Sequence, residues 1–169
     1  FMPTGGIGLK NLTEYMTNKK IVACGGSFMV KEDYINEGQW DKITQLSKES
    51  VDIMLGLEVV HIGINNDGDE KAKQTAALLS QIINKPAERE SEKGMFVGPQ
   101  FEVMKSMGRG THGHIAIGTT SVERAIYHLS KRGVEFDEAS ATFNADGSRK
   151  FIYIKEDIGG FGIHLVESK

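Results

Sequence analysis

Four side chains that can bind a metal ion occur at matching places in two similar stretches of the sequence. His61 lies in the apolar segment VVHIGI, and His114 lies in the similar segment GHIAI further along the chain. Glu102 and His164 lie in two later apolar segments, FEVM and FGIHLVE. Three imidazoles and one carboxylate suit Zn²⁺, Fe²⁺, Mn²⁺, Ni²⁺ or Co²⁺, whereas Ca²⁺ prefers a set of oxygen ligands.

Alternation along a strand predicts that these four residues share one face of a sheet. In each segment the flanking apolar residues, such as Ile62 beside His61, point to the opposite face and would pack on helices. The candidate metal ligands are therefore His61, Glu102, His114 and His164, and Glu102 is also a candidate catalytic base. His112 shares a face with His114 and is an alternative to it. The competing interpretation is that each histidine is a hydrogen-bonded structural residue.

The elements around these segments repeat, which predicts two similar modules. Each histidine-bearing strand is followed by an amphipathic helix and then by further strands, so the expected order in each module is βαβββ. Two sequences of the capping-box type predict the helix starts: Asp67-x-x-Glu70 and Thr120-x-x-Glu123. Asp146-Gly147 between two strand-like runs predicts a hairpin turn.

Two short glycine-rich sequences near the start of the chain could bind an anion. Thr4-Gly5-Gly6 and Gly25-Gly26-Ser27 each follow an apolar run. Glycine pairs let the backbone approach an anion closely, and successive N–H groups in such turns can bind a phosphate. Two such turns in series match the way a (β/α)8 barrel builds its phosphate site. Plain turn formation is the alternative explanation of these glycines.

The elements between and after these turns alternate between strand and helix. Residues 1–6 and 21–24 read as buried parallel strands, because their apolar residues are nearly continuous. Asn11 is expected to cap a helix over residues 12–17, with Glu14 completing a capping box. A longer amphipathic helix is predicted from Trp40 onward, and Gly56 is a suitable C-terminal stop.

The first third of the chain resembles a known aldolase family. The segments FMPTGGI, ACGGSFMV and GQWDKITQLSKESV are similar to the C-terminal part of KDPG/KHG aldolases. The resemblance implies the last two βα units of a TIM barrel over residues 1–56, in a class I aldolase that is usually a trimer and needs no cofactor. It implies that Thr4, Gly5, Gly6, Gly25, Gly26 and Ser27 contact a substrate phosphate or carboxylate. The family's Schiff-base lysine lies on an earlier strand, so no catalytic residue of the aldolase is expected in this chain.

The rest of the chain resembles the vicinal oxygen chelate superfamily, which includes glyoxalase I and methylmalonyl-CoA epimerase. The strands HIGI and HIAI and the closing GGFGIHLVE carry this resemblance. It implies an α+β domain of paired βαβββ modules over residues 57–169. It also implies ligands from the first and last strand of each module, which by position are His61, Glu102, His114 and His164. A Glu is usual where this chain has His164.

Composition narrows the classes of partner. The net charge of −3 gives no electrostatic basis for binding nucleic acid, and no apolar run is long enough for a membrane span. Cys24 is the only cysteine, so we expect no disulfide within the chain and a cytoplasmic protein. Phe1 already lies in an apolar run, and we expect the chain to be the C-terminal portion of a longer protein. Arg89, Lys105 and Arg109 could meet an anionic substrate or simply be solvated.

Three functional hypotheses follow from these observations. In the first, the chain is part of a lyase that releases pyruvate from a 2-oxo acid or phosphorylated sugar acid, fused to a glyoxalase-like domain. In the second, that domain is a metal-dependent isomerase, epimerase or lyase in its own right. In the third, the domain is not catalytic and binds a metabolite or stabilises a homo-oligomer.

Overall fold

A computed structural model describes residues 1–168 of the chain. These residues form two compact units, Phe1–Leu57 and Glu58–Ser168, which are described separately here. Among the described helices, none combines the length and the apolar character that crossing a membrane requires.

Three helices account for most of the regular structure of the first unit. They are α1 (Leu12–Met16), α2 (Glu32–Asn36) and α3 (Trp40–Leu55). The long helix α3 ends where it is predicted to end, because Gly56 takes the left-handed conformation (φ 57°) that favours glycine. The short helix α2 was not predicted from the sequence. The core of this unit consists of apolar side chains from the first loop, α1 and α3: Ile7, Leu12, Met16, Ile53 and Met54.

The prediction of two regular strands in this unit is wrong, because only one isolated bridge forms there. Residues 1–6 and 21–24 form no ladder, and a single parallel bridge joins Thr4 to Gly25. Parallel strands normally require cover on both faces. Within this unit the apolar side chains of Phe1 and Val22 are 84% and 73% exposed, so that cover is missing.

Asn11 braces a turn instead of capping α1. Its Oδ1 accepts a hydrogen bond from the Gly8 backbone N–H at 2.9 Å, and its Nδ2 donates to the Gly6 carbonyl at 3.0 Å. Its side chain therefore makes no capping bond to the helix, and the predicted capping box with Glu14 is wrong. The helix itself is present, one residue shorter than predicted.

The second unit contains the predicted pair of βαβββ modules in one mixed sheet. The first module consists of β1 (Glu58–Ile64), α4 (Asp69–Ile83), β2 (Ala87–Glu88), β3 (Gly94–Val97) and β4 (Phe101–Met104). The second consists of β5 (Gly113–Thr119), α5 (Val122–Ser130), β6 (Phe136–Phe143), β7 (Arg149–Ile154) and β8 (Phe161–Glu167).

The strand order reflects the repeat of the sequence. The order across the sheet is β2-β3-β4-β1-β5-β8-β7-β6, so each half presents its strands in the reverse order of the other. β1 and β5 pair antiparallel at the centre, and each pairs parallel with the last strand of its own module. This arrangement makes β4, β1, β5 and β8 four adjacent strands in the middle of the sheet.

The two helices of this unit begin later than their capping boxes predict. Helix α4 begins after Gly68, whose φ of 103° suits glycine, and Asp67 forms an ion pair with Lys71 instead of capping. Helix α5 is capped by Ser121, whose Oγ accepts from the Arg124 N–H at 3.4 Å. Sequence reasoning chose the right kind of signal for α5 but placed it one residue too early.

The predicted hairpin between β6 and β7 is confirmed. Its turn spans residues 144–148, where the Asn144 N–H donates to the Ser148 carbonyl at 2.8 Å. Gly147 takes a positive φ of 83° in this turn, which explains why the Asp-Gly pair marks it.

The helices cover one face of the sheet, as strand alternation predicts. In the first module Ala72 and Ala76 of α4 pack against Met95, Val97 and Val103. In the second module the side chains with less than 2% exposure include Val122 and Ala125 of α5, Ile152 of β7 and Leu165 of β8. In each strand the residues that alternate with these buried ones therefore point to the opposite face, where the candidate ligands lie.

Candidate metal centre

The four predicted ligands come together on the face of the sheet opposite α4 and α5. Each belongs to one of the four central strands: Glu102 to β4, His61 to β1, His114 to β5 and His164 to β8. The three histidines each bring one ring nitrogen within 4.8 Å of the other two. The pseudo-symmetric sheet therefore converts residues far apart in sequence into one cluster.

Three of the ligand atoms are packed closely. His61 Nε2 lies 3.2 Å from His114 Nε2, and Glu102 Oε2 lies 3.3 Å from the first and 3.1 Å from the second. Two ligands of one tetrahedral Zn²⁺, each about 2.0–2.1 Å from the ion, stand about 3.3 Å apart. The spacing of these three atoms thus fits a shared divalent ion.

Gly63 leaves the space that the His114 ring occupies. Gly63 pairs with Glu102 on β4 and with His114 on β5, so it lies between the two ligands in the sheet. A Cβ atom on Gly63 would stand 2.1 Å from His114 Cε1, which no side chain tolerates. The missing side chain allows the imidazole to lie over the β1 backbone and reach the Glu102 carboxylate.

His164 is the most deeply buried member of the cluster and has an unused nitrogen. Its side chain packs on Phe151, with ring centroids 4.4 Å apart, and the residue is only 3% exposed. Its Nδ1 atom is buried and has no hydrogen-bond partner among residues 1–168. Burial, reinforced by the neighbouring His114 and His61, lowers the pKa of His164 to about 3. A neutral imidazole with an unsatisfied nitrogen is a suitable metal ligand.

Glu102 is held in its ionised form by the two histidines beside it. Hydrogen bonds from His114 and His61 lower the pKa of the Glu102 carboxyl to about 2, against the opposing effect of burial. A carboxylate and neutral imidazoles are the protonation states that bind metal. The cluster thus combines the donor set, the spacing and the ionisation that a divalent transition metal requires.

Two aromatic side chains next to the cluster were missed by sequence reasoning. Phe96 on β3 pairs with Glu102 and meets His61 edge to face, with centroids 5.6 Å apart. Tyr153 on β7 pairs with His164, and the two rings are 5.2 Å apart. Burial raises the pKa of the Tyr153 hydroxyl.

The alternative ligand His112 lies outside the cluster. Its ring packs beside Phe161, with centroids 5.6 Å apart, and over Gly160, where a Cβ atom would stand 2.7 Å from His112 Cδ2. Its backbone N–H donates to the Gly160 carbonyl at 2.9 Å. His128 lies on α5, on the helical face of the sheet, and packs beside Tyr127.

In the first unit the two glycine-rich sequences are neighbours. The Thr4–Gly25 bridge joins them, and the Gly25 N–H donates to the Pro3 carbonyl at 3.0 Å. Gly5 and Gly6 have positive φ values of 79° and 67°, and a Cβ atom on either would meet nothing within 4 Å. A Cβ atom on Gly26, by contrast, would stand 2.8 Å from the Phe28 ring.

Comparison with known proteins finds sequence relatives of the first unit. The family model of KDPG and KHG aldolase matches residues 1–46. A 2-dehydro-3-deoxy-phosphogluconate aldolase from Haemophilus influenzae is 49% identical over 53 residues, which are 31% of this chain and 25% of that protein. A KHG/KDPG aldolase from Escherichia coli K12 is 40% identical over 52 residues, 31% of this chain and 24% of that protein. The chain thus spans about a quarter of the length of these relatives.

Comparison with solved structures concerns the larger part of the chain. A hypothetical protein from Bacillus halodurans C-125 aligns with a TM-score of 0.46 and 18% identity, over 67% of this chain and 95% of that one. A methylmalonyl-CoA epimerase from Mycobacterium tuberculosis aligns with a TM-score of 0.44 and 17% identity, over 66% of this chain and 87% of that one.

The sequence matches and the topology together describe a chain of two parts. Residues 1–46 are similar in sequence to KDPG and KHG aldolases, which are lyases. The second unit carries two βαβββ modules in a single sheet, with three histidines and one glutamate at its centre.

Proposed function

We propose that the second unit binds one divalent transition-metal ion through His61, Glu102, His114 and His164. The observation that carries the proposal is the close approach of three ligand atoms from strands β1, β4 and β5, at 3.1 to 3.3 Å from one another. The third histidine supports it, because the buried His164 brings one ring nitrogen within 4.8 Å of the ligand nitrogens of His61 and His114.

The chemistry of this site would be that of a vicinal oxygen chelate enzyme acting on a small 2-oxo or hydroxy acid. A bound divalent ion would polarise two neighbouring oxygens of the acid and stabilise the negative charge of an enolate. Glu102 is the carboxylate of the cluster and is the proposed base that takes the proton from the carbon beside the carbonyl. In the metal-free chain the Nε2 atoms of His61 and His114 hydrogen-bond to that carboxylate, and with an ion bound the same two nitrogens would hold the ion beside it. Isomerisation, epimerisation and lyase chemistry all begin with such a proton transfer.

For the first unit we propose a role in binding the anionic group of an aldolase substrate. The observation that carries this proposal is the Thr4–Gly25 bridge, which brings Thr4-Gly5-Gly6 beside Gly25-Gly26-Ser27. In a complete KDPG/KHG-type aldolase such turns would hold the phosphate or carboxylate of a 2-oxo acid, while a lysine elsewhere in the barrel forms the Schiff base with pyruvate. The trimer expected from the resemblance stays a prediction.

Metal content separates a catalytic second unit from one that only binds a metabolite or stabilises an oligomer. We expect about one transition-metal ion per chain after reconstitution with Zn²⁺, measured by inductively coupled plasma mass spectrometry on untagged protein. His61→Ala and His114→Ala should each weaken Zn²⁺ binding by more than about 100-fold, because changes even to outer partners of metal ligands cost 10- to 100-fold.

Two histidines outside the cluster provide matched controls for this experiment. His112→Ala and His128→Ala should leave the zinc content unchanged, since neither ring contacts a proposed ligand. Equal zinc binding by all four variants would contradict the proposed ligands. A protein that takes up no metal under any reconstitution condition would favour the non-catalytic interpretation.

Segment exchange tests the proposal for the first unit. Residues 1–46 should support pyruvate release when they replace the matching segment of the Haemophilus influenzae aldolase, measured with a lactate dehydrogenase coupled assay.

In that chimera Gly6→Val should raise KM by about tenfold or more, because a branched side chain at a positive φ distorts the turn that would meet the anion. Gly8→Ala, which meets nothing within 4 Å, is the control and should change little. A folded chimera whose KM does not respond to Gly6→Val would refute the anion-binding role.

The buried histidine gives the metal-free protein a pH dependence with a definite sign. The pKa of His164 is about 3 in the folded chain and 6.5 ordinarily, so between these values the unfolded chain holds a proton that the folded chain does not. The contribution of His164 to the free energy of unfolding is therefore complete above pH 6.5 and decreases as the pH falls toward 3. The depressed pKa of Glu102 acts in the same direction below pH 4.5.

We therefore expect the free energy of unfolding to fall by about 1 kcal/mol per pH unit between pH 6 and 5 because of His164. Chemical denaturation of EDTA-treated protein, followed by circular dichroism, measures this slope. His164→Gln should flatten it, and the control variant His128→Gln should leave it unchanged. The interpretation fails if His164→Gln keeps the slope of the parent protein.

A further inference from the structure

Two arginine–aromatic pairs flank the cluster, and their aromatic members, Phe96 on β3 and Tyr153 on β7, occupy equivalent places in the two modules. The Arg89 guanidinium lies over the Phe96 ring, 3.9 Å from its centroid, and the Arg109 guanidinium lies over the Tyr153 ring at 4.8 Å. Phe96 pairs with Glu102, and Tyr153 pairs with His164. Each arginine is therefore separated from the proposed metal ligands by a single aromatic side chain.

The two arginines differ in whether a carboxylate balances their charge. Arg109 forms an ion pair with Asp137 at 2.7 Å, so its charge is already balanced. Lys105, at the end of β4 in the first module, is bound to Asp69 and Glu90 at 2.8 and 2.7 Å. Arg89, by contrast, forms no ion pair with a carboxylate among residues 1–168. Its neighbour Glu88 on β2 pairs with Phe96 on β3.

The stacked position of Arg89 suits recognition of an anion. A guanidinium stacked on an aromatic ring keeps its N–H groups at the exposed edge, where they can form two hydrogen bonds to one carboxylate. Arg89 also has a positive φ of 52°, a conformation uncommon for a residue with a side chain. The backbone there turns so that the guanidinium lies over a ring that contacts His61.

We propose that Arg89 selects substrates with a second anionic group. This inference rests on the proposed metal site, which would hold one carboxylate and the neighbouring oxo group of a 2-oxo acid. The far end of such a substrate, toward the β3 side of the cluster, would then carry a carboxylate that Arg89 binds. The preferred substrate class is a 2-oxo dicarboxylic acid rather than a 2-oxo monocarboxylic acid.

Two acids with the same carbon chain test this proposal. Binding of 2-oxoglutarate and of 2-oxopentanoate to the full chain, loaded with Zn²⁺ and dialysed free of excess metal, is measured by isothermal titration calorimetry. We expect 2-oxoglutarate to bind about tenfold more tightly, as one charge-assisted hydrogen-bonded pair provides. Arg89→Gln should remove this preference with little change in the affinity for 2-oxopentanoate. Arg89→Lys keeps the positive charge but cannot form two parallel hydrogen bonds to one carboxylate, so it should retain part of the preference for 2-oxoglutarate.

Lys150→Gln is the matched control because it removes the same charge from the other face of the sheet. Lys150 is two residues from Ile152, which is fully buried on the helical face, so the two share that face. The control should keep the parent's preference, and circular dichroism should show that all variants fold. Equal affinity of the parent for both acids, or a preference that survives Arg89→Gln, would overturn the role of Arg89 alone. Failure of both acids to bind the zinc-loaded chain would overturn the proposed function and this inference with it.

Discussion

The close packing of His114 over the β1 backbone is the constraint on which the candidate metal centre depends. Opposite residues on adjacent strands have Cβ atoms about 4.5–5.5 Å apart, so a ring that lies over the neighbouring strand needs free space at the position beneath it. Gly63 removes the side chain that would separate Glu102 from His114, and their ligand atoms meet at 3.1 Å. His61 completes the contact from the same strand as the glycine, and the sheet positions the cluster without a loop.

The symmetry of the sheet explains why the cluster is central and why it is not symmetric. The two modules place their first strands side by side and their last strands outside these, so four ligand positions fall on adjacent strands. The equivalent positions on β4 and β8 carry Glu102 and His164, which differ in charge and in burial. Glu102 is ionised beside two hydrogen-bonding histidines, and His164 is neutral between apolar rings. One fold thereby provides a candidate base and a deeply buried candidate ligand at equivalent positions.

Strand alternation was the part of the sequence that predicted most. It placed His61, Glu102, His114 and His164 on one face, and the βαβββ repeat placed their strands in one sheet. What the sequence could not provide was the pairing register, which decides that Phe96 and Tyr153 lie beside the ligands and that His112 does not. Register depends on contacts between distant strands, and a single sequence does not reveal it.

Local signals were less reliable where other contacts competed with them. Asp67 forms an ion pair with Lys71 instead of capping α4, and Asn11 braces the Gly6–Gly8 turn instead of capping α1. The strands predicted in the first unit depend on cover from neighbouring elements, and an apolar run of residues cannot reveal whether that cover is present. Gly56, by contrast, ends α3 as predicted, because its left-handed conformation is a local property.

X-ray absorption spectroscopy at the zinc edge tests the central claim most directly, because it reports the atoms that surround the ion. For the zinc-loaded chain the account predicts a shell of nitrogen and oxygen only, with outer scattering from about three imidazole rings. Loss of one imidazole contribution in His164→Gln would confirm that the buried histidine is a ligand. A sulfur ligand, or a spectrum with fewer than two imidazoles, would contradict the proposed centre.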